Sequence, residues 1–219
     1  MKPMSAIIHK DIAIEFRNKE SLSSMLWFGL LVLVIFSFSF DTSDAEGLKP
    51  GILWVAFSFA GILGLNRSLN MESDNDCLQG LLLAPMDRGD LYLAKVAANF
   101  GFTLAAEMII LPVFAIMQHL QLDIKLIWIA GITIGGTLGF VSVGTTLSMI
   151  SSHTRMKEVI LPILQIPMTL PVIIAAVTAT GMVLNGETDG IGFPLSVLGV
   201  FSIVYLTASY LVFEHVVEE

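Results

Sequence analysis

The sequence is poor in charged residues and contains a single cysteine. Only 14% of its 219 residues are charged, whereas a soluble domain has about 25%. One cysteine, Cys77, cannot form an internal disulfide. The net charge of −8 argues against nucleic acid, which requires a basic surface. We therefore do not expect a soluble domain, a disulfide-stabilised domain or a nucleic-acid-binding protein.

Signatures of enzymes and metal sites are also missing. The sequence has no H-E-x-x-H and no G-x-S-x-G motif, and its four histidines lack metal-ligand spacing. A nucleotide-binding P-loop requires a lysine directly after a glycine, and no lysine here follows one. We expect no catalytic residue and no metal site, so that any ATP hydrolysis takes place in another chain.

Long apolar runs dominate what is present. Hydrophobic residues make up 55% of the chain, and about 20 consecutive apolar residues cross a hydrocarbon core of about 30 Å. The run lengths and the lack of period-two alternation predict helices rather than barrel strands. We predict a single all-α domain over residues 1–219, a polytopic membrane protein with six transmembrane helices. These lie at about 22–40, 51–66, 91–119, 124–150, 159–184 and 191–213.

The basic residues predict the orientation of these helices. Nine of the 11 lysines and arginines fall on one side of the membrane, in the N-terminal arm, the second connection and the fourth connection. Only Lys49 and Lys125 fall on the other side. Because basic residues are retained in the cytoplasm, both termini are predicted to be cytoplasmic.

The N-terminal arm has an apolar stripe. Ile7, Ile8, Ile12 and Phe16 lie near one face, which predicts an amphipathic helix over about 5–19 in the membrane interface. This helix is interpreted either as an anchor for the first span or as a docking element for a partner.

The connection at 67–90 begins polar and then becomes apolar. Leu78, Leu81 and Leu82 share one face of a short helix that Pro85 ends. Leucine side chains that would otherwise face water must pack against another surface. Two interpretations stay open: burial against the protein's own helix ends or lipid headgroups, or insertion into a groove on a soluble partner.

Few polar features lie within the spans. Glu107, in the third span, is either a functional carboxylate or a neutral side chain hydrogen-bonded to another helix. Glycines recur every four residues in the fourth span, which predicts close helix packing, with a substrate pathway as the alternative. The fifth span is predicted to be bent or locally unwound by prolines. These residues are Gly131, Gly135 and Gly139, and Pro162, Pro167 and Pro171.

Four stretches, in order along the chain, resemble the CcmB family, the permease subunit of the bacterial cytochrome c maturation ABC transporter. They are residues 9–21 (HKDIAIEFRNKES), 50–56 (PGILWVA), 78–85 (LQGLLLAP) with 93–95 (LAK), and 166–173 (IPMTLPVI). The length, the six spans and the loop sizes fit this family from end to end. The family's loop commonly reads Asp-Gly-x-Leu-Glu, and Gln79 stands here in place of the carboxylate.

The resemblance implies a multi-pass subunit of the bacterial inner membrane that binds no cofactor directly. ATP would be bound by a soluble ABC ATPase, and a haem-handling membrane subunit and a small single-span subunit would complete the complex. Haem would be exported, or ATP would release a haem-loaded chaperone. A two-fold ATPase dimer would accommodate two permease copies. The connection would be the coupling helix, with ATPase contacts from Asp74, Asp76, Leu78, Gln79, Leu81 and Leu82.

Two other classes stay open. A permease of the same architecture could carry another cargo, such as a lipid or a drug, and would associate with a different ATPase. A membrane enzyme or a non-transporting scaffold is the third reading. An enzyme needs convergent polar groups in the bundle, and a scaffold would not change the rate of a partner ATPase.

Overall fold

The computed structural model describes residues 3–18, 20–39, 46–74, 87–120, 124–151, 157–187 and 189–216. Within these ranges the chain is entirely helical, with seven α-helices, one 3-10 turn at Glu46–Leu48 and no strand. This confirms the predicted all-α class. The helices are α1 (Pro3–Asn18), α2 (Glu20–Ser39), α3 (Lys49–Asp74), α4 (Arg88–Met117), α5 (Ile124–Ser151), α6 (Lys157–Asn185) and α7 (Gly192–Val216).

Six of the helices, α2 to α7, are long and apolar enough to cross a membrane, which confirms the predicted number of spans. Most helix ends lie within about three residues of the predicted ones, as expected for boundaries read from sequence. The exception is α3, which continues to Asp74 through residues predicted to form a connection. A helix needs no apolar residues to satisfy its own backbone, so it can extend beyond its apolar part.

Helix α6 runs without interruption past Pro162, Pro167 and Pro171. Of the two predicted alternatives, local unwinding is therefore wrong, and a bend stays a prediction. Each proline removes one backbone hydrogen bond, and hydroxyl side chains can re-satisfy freed backbone groups in membrane helices.

The helices pack around α5, which contacts α3, α4, α6 and α7. Helix α2 packs on α3 and α4, and α1 packs on α2 and α4. The start of α4 lies beside the end of α7, where the rings of Tyr92 and Phe213 have centroids 5.5 Å apart. The first helix and the end of the last helix therefore both pack on α4 at one end of the bundle. We call it the basic end, because it also carries Arg67, Arg88 and Lys95.

At the opposite end, α4 and α6 finish in left-handed caps. His119 has φ of 53° after α4, and Leu120 N–H donates to the carbonyl of Ala115 at 2.9 Å. Gly186 has φ of 76° after α6, and Glu187 N–H donates to the carbonyl of Met182 at 2.9 Å. Glycine adopts this conformation without strain, and the bonds satisfy terminal carbonyls. These caps reverse the chain within a few residues.

The core has two parts. The larger cluster fills the centre of the bundle and includes Trp54, Phe57 and Phe114. The smaller cluster lies at the basic end and includes Tyr92 together with Ile7 of α1. Helix α1 therefore buries part of its apolar stripe against the bundle itself. Its location in a membrane interface stays a prediction.

Candidate functional site

The predicted ATPase contacts lie on the connection between α3 and α4. Residues 75–86, which include Asp76, Leu78, Gln79, Leu81 and Leu82, lie outside the described residues. Asp74 is the last residue of α3, and its side chain is likewise not described. The predicted role of these residues stays a prediction. The structure instead describes the two helices that carry the connection.

The start of α4 is held in three ways. The Asp87 side chain accepts a hydrogen bond of 2.9 Å from Gly89 N–H, which caps the helix. At Gly89 the helix approaches α7 so closely that a Cβ would lie 2.3 Å from Cε2 of Tyr210. Seven residues beyond Arg88, Lys95 Nζ lies 2.7 Å from Asp11 Oδ2 of α1. The helix leaving the connection is therefore fixed to both α1 and α7.

The ion pair between Lys95 and Asp11 was not foreseen from the sequence. Lys95 is only 2% exposed, and the Asp11 side chain is 15% exposed. Asp11 also lies 2.9 Å from Lys10 Nζ. The Lys95–Asp11 ion pair therefore joins α1 to α4, and removing either partner alone would leave a buried charge uncompensated. A second pair, Arg67 with Glu20, joins α3 to α2 nearby.

Glu107 is buried at the interface of α4 and α5. It is 2% exposed and accepts a hydrogen bond from the Thr137 hydroxyl of α5. The second interpretation of Glu107 includes a hydrogen bond to a neighbouring helix, and the structure contains this bond. A functional role for this carboxylate is not tested by this geometry.

Glu107 belongs to a regular row of polar residues on α4. Lys95, Asn99, Thr103 and Glu107 are spaced every four residues, so they lie along one helix face. Asn99 Nδ2 donates to Thr145 Oγ1 of α5 at 3.0 Å, eight residues from the Glu107–Thr137 pair on both helices. We call these two hydrogen bonds and the α4 row the polar seam.

The polar seam joins α4 to α5 in antiparallel register. Midway between its two hydrogen bonds, this register places Val141 opposite Thr103. The sequence signal was present, because a polar residue every fourth position in an apolar run is visible without a structure. The partners on α5 could not be recognised from the sequence, because nothing in it sets the register of two helices.

The predicted glycine face is only partly a packing face. A Cβ at Gly139 would lie 3.0 Å from Ser202 Oγ of α7 and from Val172 Cγ2 of α6, so this glycine permits close packing. At Gly135 the nearest atom, Leu198 Cβ, would be at an ordinary 4.0 Å. Gly131 is exposed and a Cβ there would meet nothing within 4 Å in the described structure, so its packing role stays a prediction.

Two other glycines of α5 make closer approaches. A Cβ at Gly136 would lie 2.3 Å from Cη2 of Trp54, whose Nε1–H donates to Thr180 Oγ1 at 3.0 Å. A Cβ at Gly144 would lie 2.4 Å from Cδ1 of Leu65. Both glycines face α3 rather than α7. Close approaches of α5 are therefore not confined to the face of the four-residue spacing, because four helices surround α5.

The described residues contain no group of three or more histidines, cysteines and carboxylates that could hold a metal ion. The polar seam offers hydrogen bonds and one carboxyl group. Its arrangement ties helices together and links the connection to the middle of the bundle.

Comparisons with known proteins agree with this architecture. The model of the CcmB protein family matches residues 2–219. Heme exporter protein B of Haemophilus influenzae is 26% identical over 213 residues, which cover 93% of this chain and 91% of that protein. Heme exporter protein B of Bradyrhizobium diazoefficiens is 28% identical over 212 residues, covering 94% and 93%. The Escherichia coli K12 protein of that name is 29% identical over 99 residues, covering 44% and 45%.

The match spans all six apolar helices and both ends of the chain. The protein is therefore a multi-pass membrane protein, and the chain belongs to the CcmB family.

Proposed function

We propose that this chain is the permease subunit of an ABC transporter complex that acts in cytochrome c biogenesis. The observation that carries the proposal is the family match over residues 2–219, together with six helices able to span a membrane. Two relatives covered over more than nine-tenths of their length are named heme exporter protein B. Haem is accordingly the cargo that we assign to the complex.

In this proposal the basic end of the bundle faces the cytoplasm of a bacterium, and the chain lies in the inner membrane. Helix α1 and the end of α7 both pack on α4 at that end, which supports termini on one side. In the sequence, nine of the 11 lysines and arginines fall in the N-terminal arm and in the second and fourth connections, and basic residues are retained in the cytoplasm. The connection at 75–86 then faces the same compartment as a soluble ATPase.

The ATPase would act on the membrane helices through α4. A displacement of the connection acts on α4 directly, because Asp87, which caps that helix, follows residues 75–86. From α4 it passes to α1 through Lys95 and to α5 through the polar seam. Packed helices with hydrogen-bonded contacts move as units, which is what transmission over this distance requires.

The remaining components follow from the same assignment. ATP is bound and hydrolysed by a partner chain, and this subunit is non-catalytic. A haem-handling membrane subunit and a small single-span subunit complete the complex. ATP hydrolysis exports haem or releases a haem-loaded chaperone. Two permease copies would match the two-fold symmetry of an ATPase dimer.

The test targets the apolar face of the connection. We expect Leu81→Asp and Leu82→Asp each to abolish co-purification of a P-loop ATPase in mild detergent, because a buried charge without a partner is strongly unfavourable. Leu83→Asp is the matched control. It adds the same charge beside the same residues, but in the predicted helix Leu83 falls off the face of Leu78, Leu81 and Leu82. Membrane insertion of all three variants is checked by their yield in the membrane fraction.

Mass spectrometry of the co-purified proteins separates the alternatives. A P-loop ATPase with cytochrome c maturation subunits supports the whole proposal. A P-loop ATPase alone keeps the permease and indicates another cargo, such as a lipid or a drug. Normal ATPase recovery with both face variants would exclude this face as the contact. Recovery of no ATPase with the unaltered chain would indicate a scaffold or an enzyme.

A further inference from the structure

Glu107 lies deep in the bundle and far from both ends of its helix. At about 1.5 Å per residue it is about 28 Å from Arg88 at one end of α4 and about 15 Å from Met117 at the other. The residue is 2% exposed. Water at either end of α4 therefore does not solvate this carboxyl group.

The helices that pack on α4 offer Glu107 no counter-charge at this depth. Helix α4 packs on α1 at the basic end and on α2, α3, α5 and α7 along its length. The apolar parts of these last four helices contain no charged residue and no histidine. They are residues 21–39, 50–66, 126–151 and 192–213. On α4 itself the nearest basic residue is Lys95, about 18 Å away along the helix and paired with Asp11 of α1.

Hydrogen bonding to the carboxyl group is also sparse. The Thr137 hydroxyl donates to Glu107 Oε2, and Thr137 Oγ1 also lies 2.7 Å from the carbonyl of Thr133. A hydroxyl has one hydrogen, so these two acceptors share it. Thr103, one turn away on the same face of α4, has a buried hydroxyl without a hydrogen-bond partner in the part of the chain described, so it does not donate to Glu107 either.

One shared hydrogen does not hold a full negative charge inside an apolar bundle. Burying an ionised carboxylate without a paired charge is so unfavourable that the group takes up a proton instead. A protonated carboxyl group needs no counter-charge, and its carbonyl oxygen still accepts the hydrogen bond from Thr137.

We propose that Glu107 binds a proton in the folded protein, so that a neutral carboxylic acid closes the polar seam. The ligand of this site is the proton, and Thr137 of α5 is its hydrogen-bond partner. Along the path by which the ATPase would act on α4, a neutral acid lets α4 move against α5 without carrying a charge through the apolar bundle. This last step rests on the proposed function, whereas the bound proton rests on the surroundings of Glu107 alone.

Infrared absorption of the purified protein in mild detergent tests the proposal at neutral pH. The C=O stretch of a protonated carboxyl group lies apart from the bands of carboxylates and of the peptide backbone, and exposed carboxyl groups are ionised at this pH. We expect the unaltered protein to show this band and Glu107→Gln to lose it. Glutamine has nearly the shape of the protonated acid and still accepts the hydrogen bond from Thr137. Unchanged absorption in Glu107→Gln would overturn the proposal.

The variant Thr137→Val assigns the band to the polar seam. Removing the hydroxyl takes a hydrogen bond from the C=O group, so the band should shift to higher frequency. Thr133→Val is the matched control, because it makes the same change one turn away on α5, but Thr133 donates to the carbonyl of Ile129 in its own helix. This control should leave the band in place. A band that Thr137→Val does not shift would contradict the assignment.

Should Glu107→Gln fail to fold, the presence of the band and its shift in Thr137→Val still decide the question. The measurement requires no partner chain. A protein that recovers no ATPase can still show the band, and a protein without the band can still recover the ATPase. The proton site and the proposed function therefore fail separately.

Discussion

Helices α5 and α7 have the same mean hydropathy but occupy opposite positions in the bundle. Over the most apolar 18-residue window of each helix, 56% of the residues are buried in α5 and 17% in α7. Helix α7 presents large apolar side chains outward, and Phe193 and Ile203 are 78% and 66% exposed. Helix α5 buries small and hydroxyl residues such as Gly136, Thr137 and Gly139. Hydropathy therefore tells which segments enter the membrane and not where they lie within the bundle.

The physical reason is the solvent. Lipid tails are as apolar as leucine, so burying a large apolar side chain between helices gains little over leaving it in lipid. A helix inside the bundle differs from a lipid-facing one in two other features. It approaches its neighbours closely through small residues, and it forms hydrogen bonds with them. Hydroxyl groups of α5 also donate hydrogen bonds to carbonyls of their own helix. Thr133 donates to the carbonyl of Ile129 at 2.9 Å, which allows a polar residue at an apolar depth.

The largest expected difference between the two helices comes from adding one methyl group to a glycine. Gly136→Ala should lower the free energy of unfolding by about 2 kcal/mol, because overpacking a tight contact forces neighbours to shift. The neighbour is the Trp54 ring, which its hydrogen bond to Thr180 holds in place. The measurement is an SDS titration of the purified protein in mixed micelles.

Gly199→Ala in α7 is the matched control, since a Cβ there meets nothing within 4 Å in the described structure. It should leave stability unchanged or raise it slightly, because alanine favours helices over glycine. Equal losses for the two variants would mean that α7 is covered by another helix, such as one of a second copy or a partner subunit.

A medium effect is expected from removing a single hydroxyl. Thr137→Val should cost about 1 kcal/mol of unfolding free energy, because it leaves the buried Glu107 carboxyl without its hydrogen bond from α5. Thr207→Val on the exposed face of α7 should cost nothing measurable in the same titration. If Thr137→Val leaves the free energy of unfolding unchanged, Glu107 finds another partner, which would weaken the case for the polar seam.

The comparison also shows which features the sequence could reveal. Six helices and their approximate limits follow from apolar length, because the membrane thickness is fixed. The extension of α3 to Asp74 was missed because its last residues are polar, and apolar length does not report on helix beyond the membrane. A row of polar residues such as Asn99 and Glu107 on one face of α4 could have been recognised from spacing alone.

Contacts between helices could not be predicted in the same way. The pairing of Glu107 with Thr137, or of Gly136 with Trp54, depends on the antiparallel register and on which helices are neighbours. The four-residue glycine spacing in α5 implied one packing face. The structure gives this helix four neighbours, so its close approaches are spread around its circumference.

The smallest expected effect concerns the direct link between the two helices compared. Thr146 Oγ1 of α5 lies 2.7 Å from Ser209 Oγ of α7. A double-mutant cycle of Thr146→Val and Ser209→Ala should give a coupling energy of about 0.6 kcal/mol, the average for hydrogen bonds between membrane helices. Replacing Ser209→Ala with Ser196→Ala provides the control cycle, since Ser196 is exposed and donates to the carbonyl of Phe193 in its own helix. That cycle should give no coupling. If both cycles give none, the Thr146–Ser209 contact does not hold α7, and the packing of α7 on Gly139 and Gly89 holds it without that contact.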